Sequence, residues 1–320
     1  MIYVGIDLGG MSAKSAVFQD GKMLLKERVV TNPSDGLEGV ARKLAALAED
    51  VTVHAGLDFA DVQAIGIGSP GVIDSAAGVV VKWSNYRWLN APLGERVSSI
   101  TGKPVYVTND ANAAALGEAK FGAGAKYKDC ILITLGTGVG SGIVLNGKLF
   151  EGFYSAGGEA GHMTLVVDGK PCGCGRKGCF EQYASATALI AQTREAMLDN
   201  PDSILWEITN GSLDKVDGFA AFKGAKFGDE AAGKIVDRYI KYLGEGIANL
   251  VNIFRPQAIM LGGGVSNQGE NLLVPLRAYV DKQIYVSTKY APLDIVKAEL
   301  GNDAGIYGAC AYAMQREEAK

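Results

Sequence analysis

Two stretches of this chain follow one pattern, and that repeat constrains the fold more than any local propensity. The apolar run from Ile2 enters Asp7-Leu-Gly9-Gly10, resumes through Ser12-Ala-Lys-Ser-Ala-Val-Phe18 and turns at Asp20-Gly21. Much later, Cys130-Ile-Leu-Ile-Thr134 enters Leu135-Gly-Thr-Gly-Val-Gly140, resumes through Gly142-Ile-Val-Leu145 and turns at Asn146-Gly147. Each stretch reads strand, glycine turn, strand, hairpin turn. Setting Asp7 against Thr134 also sets Gly9 against Gly136 and Val17 against Val144, and Gly21-Lys22 meets Gly147-Lys148 after a one-residue slip. At 320 residues the chain exceeds one ordinary core, so the duplication predicts two similar halves.

The intervening segments supply helices. Leu37, Val40, Leu44, Leu47 and Val51 recur at helical spacing, as do Val236, Ile240, Leu243, Ile247, Leu250 and Phe254 before Pro256. Short strands are expected at Ala64–Ile67 and Val105–Val107, and a helix over Asp110–Glu118 with Asp110 as its cap. Ala258-Ile-Met-Leu261 reads as a buried strand opening onto Gly262-Gly263-Gly264. This alternation predicts α/β architecture in two lobes with a cleft between them.

Composition narrows the partners. Lys+Arg number 31 against 35 Asp+Glu, a net charge of −4, which offers no basic field for a nucleic acid. With 48% hydrophobic and 21% charged residues the chain is too apolar for disorder. The start lacks a basic leader, and no uncharged apolar run approaches the roughly 18 residues of a membrane span, so a cytoplasmic protein without membrane partners is expected. Glycine is in excess, at 43 residues with only 9 prolines, which points to backbone that must approach something closely.

Gly9-Gly10 and Gly136-Thr137-Gly138 sit at strand-to-strand turns, where backbone N–H groups can converge on phosphate oxygens. Either turn alone reads as readily as a plain hairpin; the pair, together with Gly262-Gly263-Gly264, favours a phosphate cradle. Neither a Walker loop nor a dinucleotide fingerprint is present. Asp7, ending the first strand, suits a magnesium ion or its waters. Cys172-Gly-Cys174-Gly-Arg-Lys-Gly-Cys179 places three thiolates on one loop, as a tetrahedral zinc requires, and His162 is the better fourth ligand of the two histidines, the other being His54 on a surface-like helix. Asp110 follows Thr108-Asn109 at a strand-to-helix junction, where an open sheet presents side chains to a ligand. Glu159 and Glu181 flank the cysteine loop, and Trp83, Tyr86 and Trp88 are read as core or surface aromatics in preference to a stacking platform for a ligand.

Taken together, Asp7-Leu-Gly-Gly10, Gly68-Ser-Pro-Gly71, Asn109-Asp110-Ala-Asn112, Leu135-Gly-Thr-Gly-Val-Gly140, Gly157-Gly-Glu159-Ala-Gly-His162, the cysteine loop through Phe180-Glu181, and Leu261-Gly-Gly-Gly-Val265 resemble the ROK family of sugar kinases end to end. The nearest likeness is to the bacterial glucokinases of that family. The resemblance implies the actin-like, hexokinase-like ATPase fold: two ribonuclease-H-like domains, here 1–108 completed by a C-terminal helix over 303–320, and 109–302 carrying a zinc loop at 162–181. It implies ATP-dependent phosphorylation of a hexose, glucose first, with Asp110 as general base and ATP with Mg2+ as cofactor. Gly71, Asn85, Asn109, Glu159, His162 and Glu181 would then bind sugar, and Asp7, Gly9, Gly10, Ser12, Thr137, Gly138, Gly263 and Gly264 the nucleotide. His162, Cys172, Cys174 and Cys179 would hold a structural zinc. A homodimer or higher homo-oligomer is expected. The family usually writes Thr where Met11 stands, which predicts a weakened grip on the terminal phosphate unless Ser12 substitutes. The alternatives are a kinase for N-acetylmannosamine, fructose or allose, or a non-catalytic sugar-responsive regulator; regulators of this family place a helix-turn-helix module before the first strand, where this sequence begins at once with that strand.

Overall fold

The computed structural model describes residues 1–320. The first sheet opens with β1 (Ile2–Leu8), β2 (Ser12–Gln19) and β3 (Lys22–Val30). Helix α1 (Gly36–His54) then leads into β4 (Val62–Ser69). A small antiparallel sheet of β5 (Val72–Asp74), β6 (Val79–Trp83) and β7 (Trp88–Ala91) follows, then α2 (Leu93–Thr101), β8 (Val105–Asn109) and α3 (Asp110–Phe121). The second round is β9 (Cys130–Leu135), β10 (Val139–Leu145) and β11 (Lys148–Phe150). Helices α4 (Glu181–Ala184), α5 (Ala186–Asp199), α6 (Leu205–Ile208), α7 (Ala220–Lys226) and α8 (Glu230–Phe254) precede β12 (Ala258–Gly262). Helix α9 (Glu270–Gln283), β13 (Asp294–Lys297) and α10 (Ala304–Glu318) complete the chain.

The duplication is written in the strand orders. The first sheet runs β3-β2-β1-β4-β8 and the second β11-β10-β9-β12-β13, so each has three antiparallel strands in sequence and then two added on the far side of its first strand. This is the doubled ribonuclease-H-like arrangement that the resemblance implies. Both hairpin turns adopt the conformation expected of them: Asp20 and Gly21 have φ of 50° and 79°, and Asn146 and Gly147 have 53° and 73°. In the central strands β1, β4, β9 and β12 nearly every side chain is buried, as strands covered on both faces require.

Two compact units result, one of Met1–Asp129, Gly142–Gly158 and Glu299–Lys320, the other of Cys130–Ser141 and Glu159–Ala298. The boundary differs from a simple cut at residue 109, because α3 is packed into the first unit. A Cβ on Gly308 of α10 would lie 1.5 Å from the carbonyl oxygen of Ala113, and one on Gly66 of β4 only 1.8 Å from that of Ala309. Helix α10 is therefore laid backbone to backbone on α3 and on the first sheet, which only glycine permits. The carboxylate of Glu118, fully buried at the end of α3, accepts from the N–H groups of Ala123, Glu299 and Leu300 and ties that helix to the start of the C-terminal segment. Within the first unit Trp83, Tyr86 and Trp88 stack and pack edge to face in the core, which decides between the core and surface positions that the sequence left open. No helix is long and apolar enough to cross a membrane.

Candidate active site

In the first unit the candidate residues gather at the carboxyl ends of β1, β4 and β8. The β1–β2 turn is closed by the Gly9 N–H donating to the Ser12 carbonyl at 2.9 Å, with Gly10 and Met11 at its tip. Met11 is 78% exposed, so its thioether supplies no packing that would explain its presence. Asp7 pairs in register with Lys14, whose Nζ lies 3.9 Å from Asp7 Oδ2. Gly305, in the first turn of α10, leaves room for Asp7: a Cβ there would lie 2.9 Å from the carboxyl carbon. Burial raises the Asp7 carboxyl above its ordinary value and Asp303 adds to this, against the pull of Lys14. Asn85 stands beside the turn, its Nδ2 3.5 Å from where a Gly10 Cβ would be.

At the end of β8 the helix cap is Asn109, one residue earlier than the sequence suggests. Its extended backbone (φ −68°, ψ 150°) lets Oδ1 accept from the N–H groups of Ala111 and Asn112, while Nδ2 donates to the Gly71 carbonyl at 3.2 Å. Gly71 has φ of 99° and a Cβ there would meet the Lys82 carbonyl at 2.3 Å, so no other residue fits. Asp110, relieved of capping, opens α3 and accepts from the Ala111 N–H at 2.9 Å. Burial raises its carboxyl above the ordinary value; the Ala111 N–H lowers it, and the charge of Asp7 raises it further.

In the second unit the matching strand ends carry the other glycines. The Gly136 N–H donates to the Gly138 carbonyl, leaving Thr137 exposed at the tip of the β9–β10 turn. Gly263, at φ 80°, brings the end of β12 against β9, where a Cβ would lie 2.5 Å from the Leu135 carbonyl. Gly264 begins the short turn that follows. Glu159 and His162 share one turn, closed by the His162 N–H donating to the Glu159 carbonyl at 3.0 Å. Glu181, opening α4, brings Oε2 to 2.6 Å from a Cβ position on Gly138 and Oε1 to 3.7 Å from His162 Nδ1.

The cysteine loop closes beside these carboxylates. Donor atoms of His162, Cys172, Cys174 and Cys179 all lie within 4.8 Å of one another, with Cys172 Sγ 3.7 Å from His162 Nδ1 and Cys174 Sγ 3.6 Å from Cys179 Sγ. A tetrahedral zinc with Zn–S bonds of about 2.3 Å sets its donors about 3.8 Å apart, so this set fits that ion. Burial pushes the Cys172 thiol up to about 12, so a thiolate there calls for a cation. Arg176 braces the loop, donating to the His162 carbonyl and to Thr164 Oγ1.

A family model described as the ROK family matches residues 3–316. The chain belongs to the ROK family. The glucokinase of Thermotoga maritima is 38% identical over 315 residues, covering 98% of this ROK chain and 97% of that protein. A ROK glucokinase from Streptomyces griseus, solved in complex with glucose and AMPPNP, matches with a TM-score of 0.78 at 36% identity, covering 98% of this chain and 100% of that one. The ROK hexokinase from Thermus thermophilus gives a TM-score of 0.82 at 34% identity, with both chains covered in full. The fold of this ROK protein is accordingly the actin-like ATPase fold.

The expected site residues of this ROK chain lie at strand ends, at the first turns of α3 and α4, in turns, or in the cysteine loop. Lys14, 3.9 Å from Asp7, is a residue that the motifs leave out, although a two-stranded hairpin closed at Gly9–Ser12 places it opposite Asp7. Gly305 ends the segment 299–305, which adds to the glucokinase likeness, but its packing against Asp7 is not legible in the sequence, because the two lie at opposite ends of the chain. His54 is exposed at the end of α1, where Nδ1 meets Glu27 at 2.8 Å, remote from any of these groups in sequence and role.

Proposed function

We propose that this chain is an ATP-dependent hexokinase that converts glucose to glucose 6-phosphate with Asp110 as the general base. The observation that carries the reading is the state of Asp110. A partly buried carboxyl, raised by desolvation and by Asp7, stands beside Asn109 at the first turn of a helix in a ROK chain that resembles named glucokinases along its whole length. A carboxylate so placed can take the proton of a sugar hydroxyl as that oxygen bonds to the terminal phosphorus of ATP and the bond to the bridging oxygen of ADP breaks. The proton ends on Asp110 and the leaving group is ADP. Phosphoryl transfer asks little covalent help from a protein, so alignment and exclusion of water are the main tasks of the other residues.

Asn109 is proposed to hold the sugar beside Asp110, with Gly71 as a close backbone wall and Asn85, Glu159, His162 and Glu181 binding further hydroxyls. Asp7, Gly9, Gly10, Ser12, Thr137 and Gly138 are assigned to the phosphates, and Gly263 and Gly264 to the nucleoside side. Lys14 joins the phosphate set by its position at Asp7. Mg2+ carried with the nucleotide supplies charge neutralisation of the phosphates, and Asp7 is the residue to hold it or its waters. Zinc would be held by Cys172, Cys174, Cys179 and His162 Nδ1 and would supply rigidity. With Nδ1 so engaged, the His162 ring would be fixed in angle and tautomer, leaving Nε2 to meet a sugar hydroxyl.

A coupled assay of ADP release over glucose, N-acetylmannosamine, fructose and allose tests the reading. Glucose is expected to give the highest kcat/KM. Preference for another sugar would replace glucose, and no release with any sugar would overturn the kinase.

A further inference from the structure

Glu151 follows β11 and belongs to no motif, yet its side chain gathers hydroxyls from three distant segments of the first unit. Oε1 accepts from Ser75 Oγ at 2.7 Å and from Thr108 Oγ1 at 2.9 Å, and Oε2 accepts from the Tyr312 hydroxyl at 3.1 Å. All three donor residues are buried. Burial, with the Glu151 charge adding to it, pushes the Tyr312 phenol up to about 12, so it stays a donor at working pH, and its oxygen in turn accepts from Arg316.

Two of these links bear on the proposed chemistry. Thr108 is the last buried residue of β8 before Asn109 and Asp110, and Ser75 leads back toward Gly71, the partner of Asn109. The main chain of Glu151 points the other way: its carbonyl accepts from the Gly157 N–H at 2.8 Å and so closes the loop that delivers Gly157, Gly158 and Glu159. Within that loop Tyr154 and Ser155 both hold a φ of 54°, a conformation side chains adopt reluctantly, and the Ser155 hydroxyl is held against Ser75 Oγ at 2.5 Å. One carboxylate thus fixes the strand end carrying Asp110 and, through Ser75, the strained loop beyond it.

We infer that Glu151 is a positioning residue for phosphoryl transfer, holding the end of β8 so that Asp110 is aligned with its substrate; this rests on Asp110 being the base. Misplacement of a reacting group by about an ångström lowers a rate by up to about a hundredfold. Glu151→Ala should therefore lower kcat by about tenfold to a hundredfold while KM for ATP stays within about twofold, because the Asp7–Gly10 turn is untouched. Glu151→Gln should restore kcat to within about threefold, since an amide oxygen still accepts from Ser75 and Thr108 and the amide N–H2 can donate to Tyr312. Thr108→Val, nearly isosteric, should lower kcat in the same direction, and the double variant with Glu151→Ala should be no slower than Glu151→Ala alone.

These constants are read at a temperature well below each variant's unfolding transition. Full kcat in Glu151→Ala, or losses that multiply in the double variant, would overturn the assignment. Should Glu151→Ala fail to fold, an unaltered kcat in Thr108→Val does the same. Asp110→Asn separates the two levels: turnover retained there removes the base, whereas full kcat in the Glu151 and Thr108 variants removes only the positioning role.

Discussion

Replacing Asp110 with Asn tests the chemistry and the electrostatics in one variant. The amide oxygen can still accept the Ala111 N–H that Asp110 accepts at 2.9 Å, and the helix cap belongs to Asn109, so the start of α3 has no reason to change. What is lost is the proton acceptor. General base catalysis contributes about a hundredfold to ten-thousandfold, or roughly 3 to 5 kcal/mol of barrier, so kcat should fall by at least that lower bound while glucose still binds. Stability should move the other way. The folded-state pKa of Asp110 lies above its unfolded value through burial and the Asp7 charge, so the ionised form is disfavoured in the fold. Its stabilising contribution is present only at acid pH and is lost as pH rises through the folded pKa. At neutral pH the ionised side chain therefore costs stability that Asn does not, and Asp110→Asn should melt at a higher temperature than the parent, the gap narrowing toward acid pH. The same shift places the acid limb of the parent's kcat/KM profile above the ordinary carboxylate range. Steady-state kinetics, a sugar-binding titration and calorimetry across pH read all of this. More than about a hundredth of parental kcat would refute the base, and a lower melting temperature at neutral pH would refute the electrostatic account.

Three further perturbations probe other parts of the site. Cys174 is the exposed cysteine of the loop, so Cys174→Ser removes a ligand without opening a cavity; zinc content should drop well below one per chain and glucose affinity should weaken, and full zinc by elemental analysis would contradict the ligand set. Met11→Thr changes an exposed turn tip and should lower KM for ATP several-fold with little change in melting temperature; an unchanged KM would show that the hydroxyl missing from position 11 is supplied elsewhere, with Ser12 the nearest source. Gly308→Ala drives a Cβ into the Ala113 carbonyl, which backbone cannot yield, and should cost about 3 kcal/mol or more in denaturant unfolding; a loss below about 1 kcal/mol would mean that α10 shifts freely on α3.

How much of this was legible in the sequence depends on whether the determining contact is local. The two matching hairpins followed from the repeat because each half carries its own turn chemistry, Asp20-Gly21 in one and Asn146-Gly147 in the other, and a hairpin fixes register within a few residues. The cluster of Cys172, Cys174, Cys179 and His162 was legible because three of its members share one short loop, which keeps their side chains close whatever surrounds them. The cap at α3 was misread by one position because Asn and Asp are both good caps; ψ of 150° at Asn109 decides it, and that angle is set by the end of β8. The unit boundary fell elsewhere because Gly66 meets Ala309, Gly117 meets Ala304 and Gly308, and Gly308 meets Ala113, each backbone to backbone, and a glycine or alanine in such a contact has the same letter as one in a loop. The glycine excess points to close backbone approach, and part of it lets one helix lie on a sheet and on another helix, where the sequence suggests loops. Glu151 was missed on the same principle: an acidic residue after a short strand reads as solvated, and only the convergence of Ser75, Thr108 and Tyr312 shows it accepting from three buried hydroxyls. Residues that touch a ligand sit in motifs because a small molecule needs several groups close together in the chain, while residues that hold those motifs in place are drawn from anywhere, and only coordinates identify them.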